Sequence, residues 1–150
     1  MIAFPDTSFL CALYVRQDNS LRAAAHFQKL PEALSVSGLL LYEFRQSVRF
    51  QVWLQARDKS RGYPQSVAEV ALAKLQSNLD TGALAVVTAD WPDVHRLAET
   101  LSKRHTIAGG HRSLDVLHVA TALYLGAREF LTFDTNQRKL AAAEKLKVRP

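Results

Sequence analysis

The chain alternates short apolar runs with longer amphipathic stretches, and this alternation constrains its fold more than any other feature. The apolar runs predict strands at Met1–Phe4, Leu34–Val36, Leu84–Thr88, Phe130–Phe133 and, at an edge, Lys147–Val148. Strands separated by helices form parallel sheets with both faces covered. The sequence therefore predicts an α/β fold of three layers, α/β/α, around a central, mostly parallel sheet of about four to five strands.

The predicted helices start near hydroxyl, asparagine or proline residues, which favour the first turn of a helix. They run from Thr7 or Ser8 to Val15, Asn19 or Ser20 to about Leu30, after Ser37 to about Ala56, Pro64 to about Leu79, Pro92 to about Arg104, Leu114 to Leu125, and Thr135 to Leu146. The strongest loop signals are at 57–64 and 106–111. With 150 residues and no repeat or linker, we expect one domain over residues 1–150.

Composition excludes several classes of protein. The single cysteine, Cys11, rules out an internal disulfide framework and a cysteine-based zinc cluster. The longest apolar run, Phe9 to Val15, is too short to span a bilayer, and no signal segment opens the chain. We therefore expect a cytoplasmic protein without a membrane partner. The net charge of +5 permits binding to a polyanion but does not require it.

Acidic residues follow two of the predicted strands. Asp6 comes directly after the first strand, and Asp134 follows the strand at Phe130–Phe133. Parallel strands end at the same edge of a sheet, where α/β proteins place their sites. If the two strands are neighbours, the carboxylates lie within about 10 Å of each other. Each aspartate can also simply cap the helix that follows it.

Two further acids lie on predicted helices. Glu43 falls about 60° from Leu40, on the flank of the apolar stripe of its helix. Asp115 lies in the first turn of a later helix, where the helix dipole favours an acid. Because apolar residues surround Asp115, we expect it to be only partly solvated. Alone, each is compatible with an ordinary structural role.

The chain resembles the PIN domain family, and most closely its single-domain VapC-type ribonuclease toxins. The resemblance covers nearly the whole chain and rests on Asp6-Thr7-Ser8, Glu43, Asp115-Val116-Leu117-His118-Val119-Ala120-Thr121-Ala122 and Leu131-Thr132-Phe133-Asp134. Pro5 departs from the family, whose members usually continue the strand there. Lys145 also departs, since a turn glycine is common at that position.

The resemblance implies a ribonuclease that uses Mg²⁺ or Mn²⁺ held by Asp6, Glu43, Asp115 and Asp134, with Thr7 as a hydroxyl or backbone helper. The chemistry of these residues agrees, because crowded carboxylates repel one another and a hard dication removes the conflict. Glu43 can bind the metal or orient the attacking water. The resemblance further implies a homodimer and a small antitoxin partner. A catalytically inactive PIN-like protein- or RNA-interaction module is the alternative.

Basic and aromatic side chains around these acids are candidates for RNA contact. Arg112, just before Asp115, is the best single candidate for a phosphate contact. The other candidates are Arg45, Arg49, Arg57, Lys59, Arg61, Arg138 and Lys139 for phosphates, and Tyr63 and Trp91 for bases. Phe50 and Trp53 are expected to be packing residues or part of a protein interface.

Other chemistries fit the sequence less well. His111, Asp115 and His118 have a spacing compatible with a histidine-metal site, but we expect His118 to pack or to hydrogen-bond within its helix. A haloacid-dehalogenase-type phosphatase needs a second aspartate where Ser8 stands. There is no P-loop and no G-x-G-x-x-G motif, so nucleotide cofactor binding is unsupported.

Overall fold

A computed structural model describes residues 1–150, which form seven helices and five strands. The strands are β1 (Ala3–Pro5), β2 (Leu34–Ser37), β3 (Leu84–Val87), β4 (Glu129–Leu131) and β5 (Lys147–Arg149). The helices are α1 (Thr7–Tyr14), α2 (Ser20–Gln28), α3 (Gly38–Arg57), α4 (Gln65–Asp80), α5 (Trp91–Gly109), α6 (Ser113–Tyr124) and α7 (Thr135–Ala143). The α/β class and the parallel pairing predicted from the sequence are confirmed.

The strands pair as three plus two rather than as one continuous ladder. One sheet has the order β1-β4-β5, and β2 pairs with β3 in a second, two-stranded sheet. Strand β2 lies beside β1 without a ladder between them. β1 is only three residues long, and its Pro5 has no N–H to offer a second neighbour. The pairing of β1 with β4 brings Pro5 opposite Leu131, which puts Asp6 and Asp134 at the same edge.

A single apolar core supports this edge. Its fully buried members include Phe4 and Phe130 on the strands and Phe9, Leu40 and Phe44 on the adjoining helices. The apolar stripe of α3 faces this core, as its periodicity predicts. None of the helices is both long and apolar enough to cross a membrane.

One predicted boundary was wrong by several residues. Helix α5 continues to Gly109, although the sequence around 106–111 reads as a loop. Nothing in Thr106-Ile107-Ala108 prevents a helix, and the chain leaves it only at Gly110, whose φ of +64° is left-handed. Lys145 adopts a similar φ of +65°, the conformation that a turn glycine would take most easily.

The loop after α3 folds back onto that helix, and Gly62 is the residue that packs against the helix backbone. This residue has a φ of +65°, and a Cβ built there would lie 2.0 Å from the carbonyl oxygen of Gln51. Gly82 has a φ of +76° but open space around it. We expect Gly82→Ala to lower the free energy of unfolding by about 1 kcal/mol through backbone strain alone. Gly62→Ala should cost at least about 2 kcal/mol, because the loop must also move.

Urea unfolding of both variants measures this difference. Equal losses of stability for the two substitutions would contradict the close packing of the loop on α3.

Candidate active site at the carboxyl edge of the sheet

Asp6 lies at the end of β1 and is completely buried. Its backbone N–H donates to the carbonyl oxygen of Leu131, which extends the β1–β4 ladder to this residue. One carboxylate oxygen, Oδ1, accepts from the Phe9 N–H at 2.9 Å and from the Ser8 hydroxyl at 2.7 Å. The other, Oδ2, accepts from the Thr132 hydroxyl at 2.5 Å. Asp6 therefore caps α1, as the sequence allows, but the cap uses only Oδ1 of its carboxylate.

Burial dominates the ionisation of Asp6. It raises the pKa to about 6, although the hydrogen bonds from Thr132, Ser8 and the Phe9 N–H act to lower it. A carboxylate without a cation in this position is therefore held in an unfavourable charged state at neutral pH.

Asp134 also combines a cap with an outward-facing oxygen. Its Oδ1 accepts from the backbone N–H groups of Asn136 and Gln137, both at 2.8 Å, and so starts α7. Its Oδ2 lies 3.8 Å from Nη2 of Arg112. The residue thus contributes one oxygen to the helix and leaves the other for the site.

Asp115 projects from the first turn of α6 and is buried, as the apolar residues around it predict. Its Oδ2 accepts from Nε of Arg112 at 3.0 Å. The Arg112 side chain is 76% exposed and spans Asp115 and Asp134. Its hydrogen bond to Asp115 and the surrounding carboxylates, Glu43 among them, raise the pKa of Arg112. A guanidinium therefore provides the positive charge between these two acids.

Glu43 reaches the same region from the second turn of α3, which Ser37 caps. Its Oε2 accepts from the hydroxyl of Thr7 and from Nε2 of His118. Burial opposes its ionisation, but these hydrogen bonds outweigh burial and the pKa of Glu43 lies below its ordinary value. The side chain is held in place as a carboxylate.

The pairing of His118 with Glu43 corrects the expectation that this histidine only packs or bonds within its helix. The ring is buried, and a carboxylate only accepts, so Nε2 carries the proton in this pair. Nδ1 has no partner. His118 lies three residues after Asp115, a spacing that puts both on one face of α6 and that could have indicated a shared site.

Two hydroxyls that the sequence analysis did not select connect Asp6 with Asp134. Ser8 Oγ accepts from the N–H groups of Phe133 and Asp134, while Thr132 Oγ1 accepts from the Asp134 N–H at 2.9 Å. Both hydroxyls also donate to Asp6. Ser8 follows Asp6 by two residues, and Thr132 precedes Asp134 by two residues. This position next to an acid at the end of a strand is the signal that could have identified them.

The side chains as they stand do not form a closed metal cluster. No group of three His, Cys, Asp or Glu side chains is arranged to hold a metal ion. This includes the alternative of His111, Asp115 and His118. The donor chemistry nevertheless suits a hard cation, since Asp115 and Asp134 offer carboxylate oxygens and already share one positive group. The site fits a dication that takes the place of the guanidinium.

The remaining candidates for substrate contact have different surroundings. Arg138 donates to the carbonyl oxygens of Thr132 and Pro150 and so supports the chain locally. Tyr63 and Trp91 are half-buried against the core. Phe50 and Trp53 are exposed, which excludes packing in the core and leaves the second expectation, a place in a protein interface, as a prediction.

Comparisons with known proteins identify the family and the fold of the chain. A family model described as the PIN domain matches residues 3–143. A search among curated proteins found no match. The structure of VapC20 from Mycobacterium tuberculosis, a Sarcin-Ricin loop cleaving toxin, is 25% identical with a TM-score of 0.63, and the match covers 99% of both chains.

Two more distant structures share the fold. VapBC2 from Rickettsia felis, bound to a DNA fragment from its promoter, is 14% identical with a TM-score of 0.64 and coverage of 99% and 98%. A toxin-antitoxin complex from Klebsiella pneumoniae is 14% identical with a TM-score of 0.56 and coverage of 89% and 87%.

Proposed function

We propose that this chain, which belongs to the PIN domain family, is a metal-dependent endoribonuclease that hydrolyses RNA phosphodiester bonds. The observation that carries the proposal is that Asp115 and Asp134 both face the guanidinium of Arg112 at the carboxyl edge of the sheet. Asp6 and Glu43 lie at the same edge, each fixed by hydrogen bonds from hydroxyl or imidazole groups. The similarity to a toxin that cleaves the Sarcin-Ricin loop supports RNA as the substrate class.

Asp6, Glu43, Asp115 and Asp134 are the residues that would hold Mg²⁺ or Mn²⁺, directly or through water. When bound, such an ion polarises a phosphoryl oxygen, acidifies a water molecule and stabilises the leaving 3′ oxygen. Glu43, fixed by His118 and Thr7, is placed either to bind the ion or to orient the attacking water. No nucleophilic side chain is required for this reaction.

Arg112 connects the acids with the substrate. Its exposed side chain can withdraw from Asp115 and Asp134 when a dication neutralises them, and it can then contact a phosphate of the RNA. Thr7 lies beside Glu43, where a hydroxyl can help to position the same phosphate. We therefore retain Arg112 and Thr7 as substrate-binding residues of the proposed enzyme.

We propose that the chain acts in the cell as the toxin of a toxin–antitoxin pair. The structural relatives include a toxin-antitoxin complex, which supports a small antitoxin as a partner. We further propose a homodimer acting in the cytoplasm, where its RNA substrates are. Sedimentation of the purified chain, alone and with the product of a small open reading frame directly upstream, tests the oligomeric state and the partner.

Incubation of the purified chain with RNA tests the activity itself. We expect cleavage in Mg²⁺ or Mn²⁺ that EDTA abolishes and that added metal restores. RNA binding without any cleavage would instead favour an inactive RNA-interaction module.

Replacement of Arg112 tests its two proposed roles separately. The first is to occupy the cation position between Asp115 and Asp134, and the second is to contact a phosphate of the RNA. In Arg112→Ala, Mn²⁺ should bind about tenfold more tightly, because no guanidinium competes for Asp115 and Asp134. RNA should bind more weakly, and the slope of log Kd against log salt should fall by about 1. Calorimetry with Mn²⁺ and a salt series with labelled RNA measure the two effects.

Arg96→Ala is the matched control, because Arg96 is an exposed arginine that pairs only with Asp93 on α5. An unchanged salt slope in Arg112→Ala would remove Arg112 from the RNA contacts. Unchanged Mn²⁺ affinity would show that the guanidinium does not occupy the cation position.

A further inference from the structure

We propose that a cavity between α5 and α6 binds a guanine base of the RNA strand beside the cleaved bond, an inference that rests on the proposed function. The cavity has a volume of about 270 Å³, just below the range of pockets for drug-sized ligands, which suits a single base. Its lining combines apolar with polar side chains, among them Ala98, Val116, Leu117, Glu99, Thr106 and His111.

Two polar atoms of this lining are buried and have no hydrogen-bond partner in the protein. They are Oγ1 of Thr106 and Nδ1 of His111. Thr100, on the same helix, instead donates its hydroxyl to the carbonyl oxygen of Arg96 at 3.1 Å. Buried polar groups are nearly always paired, because an unpaired one costs stability. A ligand that supplies hydrogen-bonding atoms to this cavity would satisfy both groups.

The ring of His111 is held closely against the end of α5. A Cβ built at Gly109, which is still helical, would lie 2.4 Å from Nε2 of this ring. The next residue, Gly110, accepts at its carbonyl oxygen from Nδ2 of Asn136 at 3.3 Å, so the loop is also attached to α7. The imidazole is therefore fixed in place before any ligand enters.

The polar groups of the cavity match guanine better than the other bases. A carboxylate such as Glu99 only accepts, and guanine carries two adjacent donors, its N1–H and its 2-amino group. The neighbouring edge of guanine carries the acceptors O6 and N7, which suit the hydroxyl of Thr106 and a protonated Nδ1 of His111. Adenine and cytosine place an acceptor beside their amino group, which would face the carboxylate unfavourably.

The charges around the cavity also favour a base over a phosphate. No lysine or arginine lines it. Glu99 forms an ion pair with Lys103 at 3.5 Å, but both side chains are largely exposed, so this pair contributes little and leaves carboxylate lone pairs for a ligand. An uncharged ring with hydrogen-bonding edges is the ligand that fits.

The cavity lies beside the acidic site, on the other side of Arg112. The residues that flank Arg112 in the chain, His111 and Ser113, both line the cavity. The Arg112 side chain itself contacts Asp115 and Asp134. Because consecutive Cα atoms are about 3.8 Å apart, a strand with a phosphate at Arg112 has the cavity within reach of a neighbouring base. Occupation of the cavity would then select which bond is cleaved.

Nuclear magnetic resonance of the ¹⁵N-labelled full-length chain with guanosine in EDTA tests the cavity without RNA or metal. We expect the backbone amide signals of Thr106 and His111 to shift saturably, and adenosine to bind about tenfold more weakly. Inosine lacks only the 2-amino group, so it should also bind about tenfold more weakly than guanosine. In Glu99→Gln, which removes the charged acceptor, the difference between inosine and guanosine should nearly disappear.

Variants of the two unpaired groups separate binding from a structural role. Thr106→Val should weaken guanosine binding about fivefold, but it should not lower stability in urea, because the hydroxyl has no partner in the free protein. Gly109→Ala should also weaken binding by displacing the His111 ring, although alanine favours the helix. Thr100→Val is the matched control, since Thr100 is exposed on the same helix, and it should leave binding unchanged.

Cleavage assays connect the cavity with the proposed enzyme. The wild type should prefer RNA with guanosine beside the cleaved bond about tenfold over adenosine, and Glu99→Gln should reduce this preference. An equal preference in both proteins would contradict the inference.

Failure of this inference differs from failure of the proposed function. Guanosine that shifts no signal around the cavity, or that binds no more tightly than adenosine, would overturn the inference even if the wild type cleaves RNA. Thr106→Val that loses stability while it binds guanosine normally would show a structural role and also overturn it. Selective guanosine binding in a chain that cleaves no RNA would support the cavity and contradict the nuclease.

Discussion

Replacing Asp115 with asparagine is expected to reduce Mg²⁺-dependent RNA cleavage by roughly 1000-fold. The carboxylate is proposed to stabilise a dication that supplies several kcal/mol to the transition state, and an amide of the same shape cannot provide that charge. The fold should be retained. The ion pair that is lost joins Asp115 to Arg112, and Arg112 is mostly exposed, so no buried charge is left without a partner.

Single-turnover cleavage of labelled RNA and a thermal melt of each protein measure the two effects. Asp93→Asn is a close control, because Asp93 is likewise an acid in the first turn of a helix and pairs with an arginine, but its side chain is half-exposed on α5. It should cleave RNA at the wild-type rate. Undiminished cleavage by Asp115→Asn would falsify the assignment of the site.

The second large effect is a gain in stability. Asp6→Asn should raise the free energy of unfolding in the absence of metal by up to about 3 kcal/mol at pH 7, while abolishing cleavage. Burial raises the pKa of Asp6 from its ordinary 3.8 to about 6, so at neutral pH the folded state holds a charge that it disfavours. An asparagine can still accept from the Phe9 N–H and face the Thr132 hydroxyl.

The difference in the free energy of unfolding between the wild type and Asp6→Asn should depend on pH, because it arises from the buried charge of Asp6. A raised pKa in the folded state means that the folded chain retains a proton between pH 3.8 and 6 that the unfolded chain has lost. The wild type therefore loses stability relative to Asp6→Asn as pH rises through this range, and the gap is constant above about pH 7. Urea unfolding in EDTA at a series of pH values measures it.

Asp90→Asn controls for the change of helix cap. Asp90 is the cap of α5 and accepts from the Asp93 N–H, but it is exposed. Its replacement should alter stability by no more than about 0.5 kcal/mol at any pH. A gap between the wild type and Asp6→Asn that does not vary with pH would exclude the burial of charge as its origin.

Much of this architecture could be predicted from local sequence signals. The parallel edge that joins Asp6 with Asp134 follows from apolar runs that alternate with helices, and β1 does pair with β4. The position of Glu43 on the flank of α3 follows from helical periodicity, and the structure confirms that it is partly buried. The burial of Asp115 follows from its apolar neighbours. These features depend on the regular spacing of side chains along a helix or a strand and on residues that are close in the sequence.

Other features depend on pairs of residues far apart in the chain. No local pattern indicates that His118 binds Glu43 or that Arg112 lies across two acids, because side chains from separate elements choose these partners only after the helices pack. The division of the strands into two sheets has the same origin. The sequence also left open whether Trp53 packs in the core or lies at a protein interface, and only the packed helices show that its side chain is exposed.

The hydroxyl of Ser8 joins the two ends of the polypeptide, since it contacts Asp6 in the first strand's turn and the backbone at Phe133 and Asp134. A nascent chain still attached to the ribosome therefore lacks the Thr132 partner of Asp6 and the Phe133 and Asp134 partners of Ser8 until nearly all of its residues have emerged. With this order of assembly, the proposed nuclease would complete its site only after the messenger and ribosomal RNA around the growing chain have been left behind.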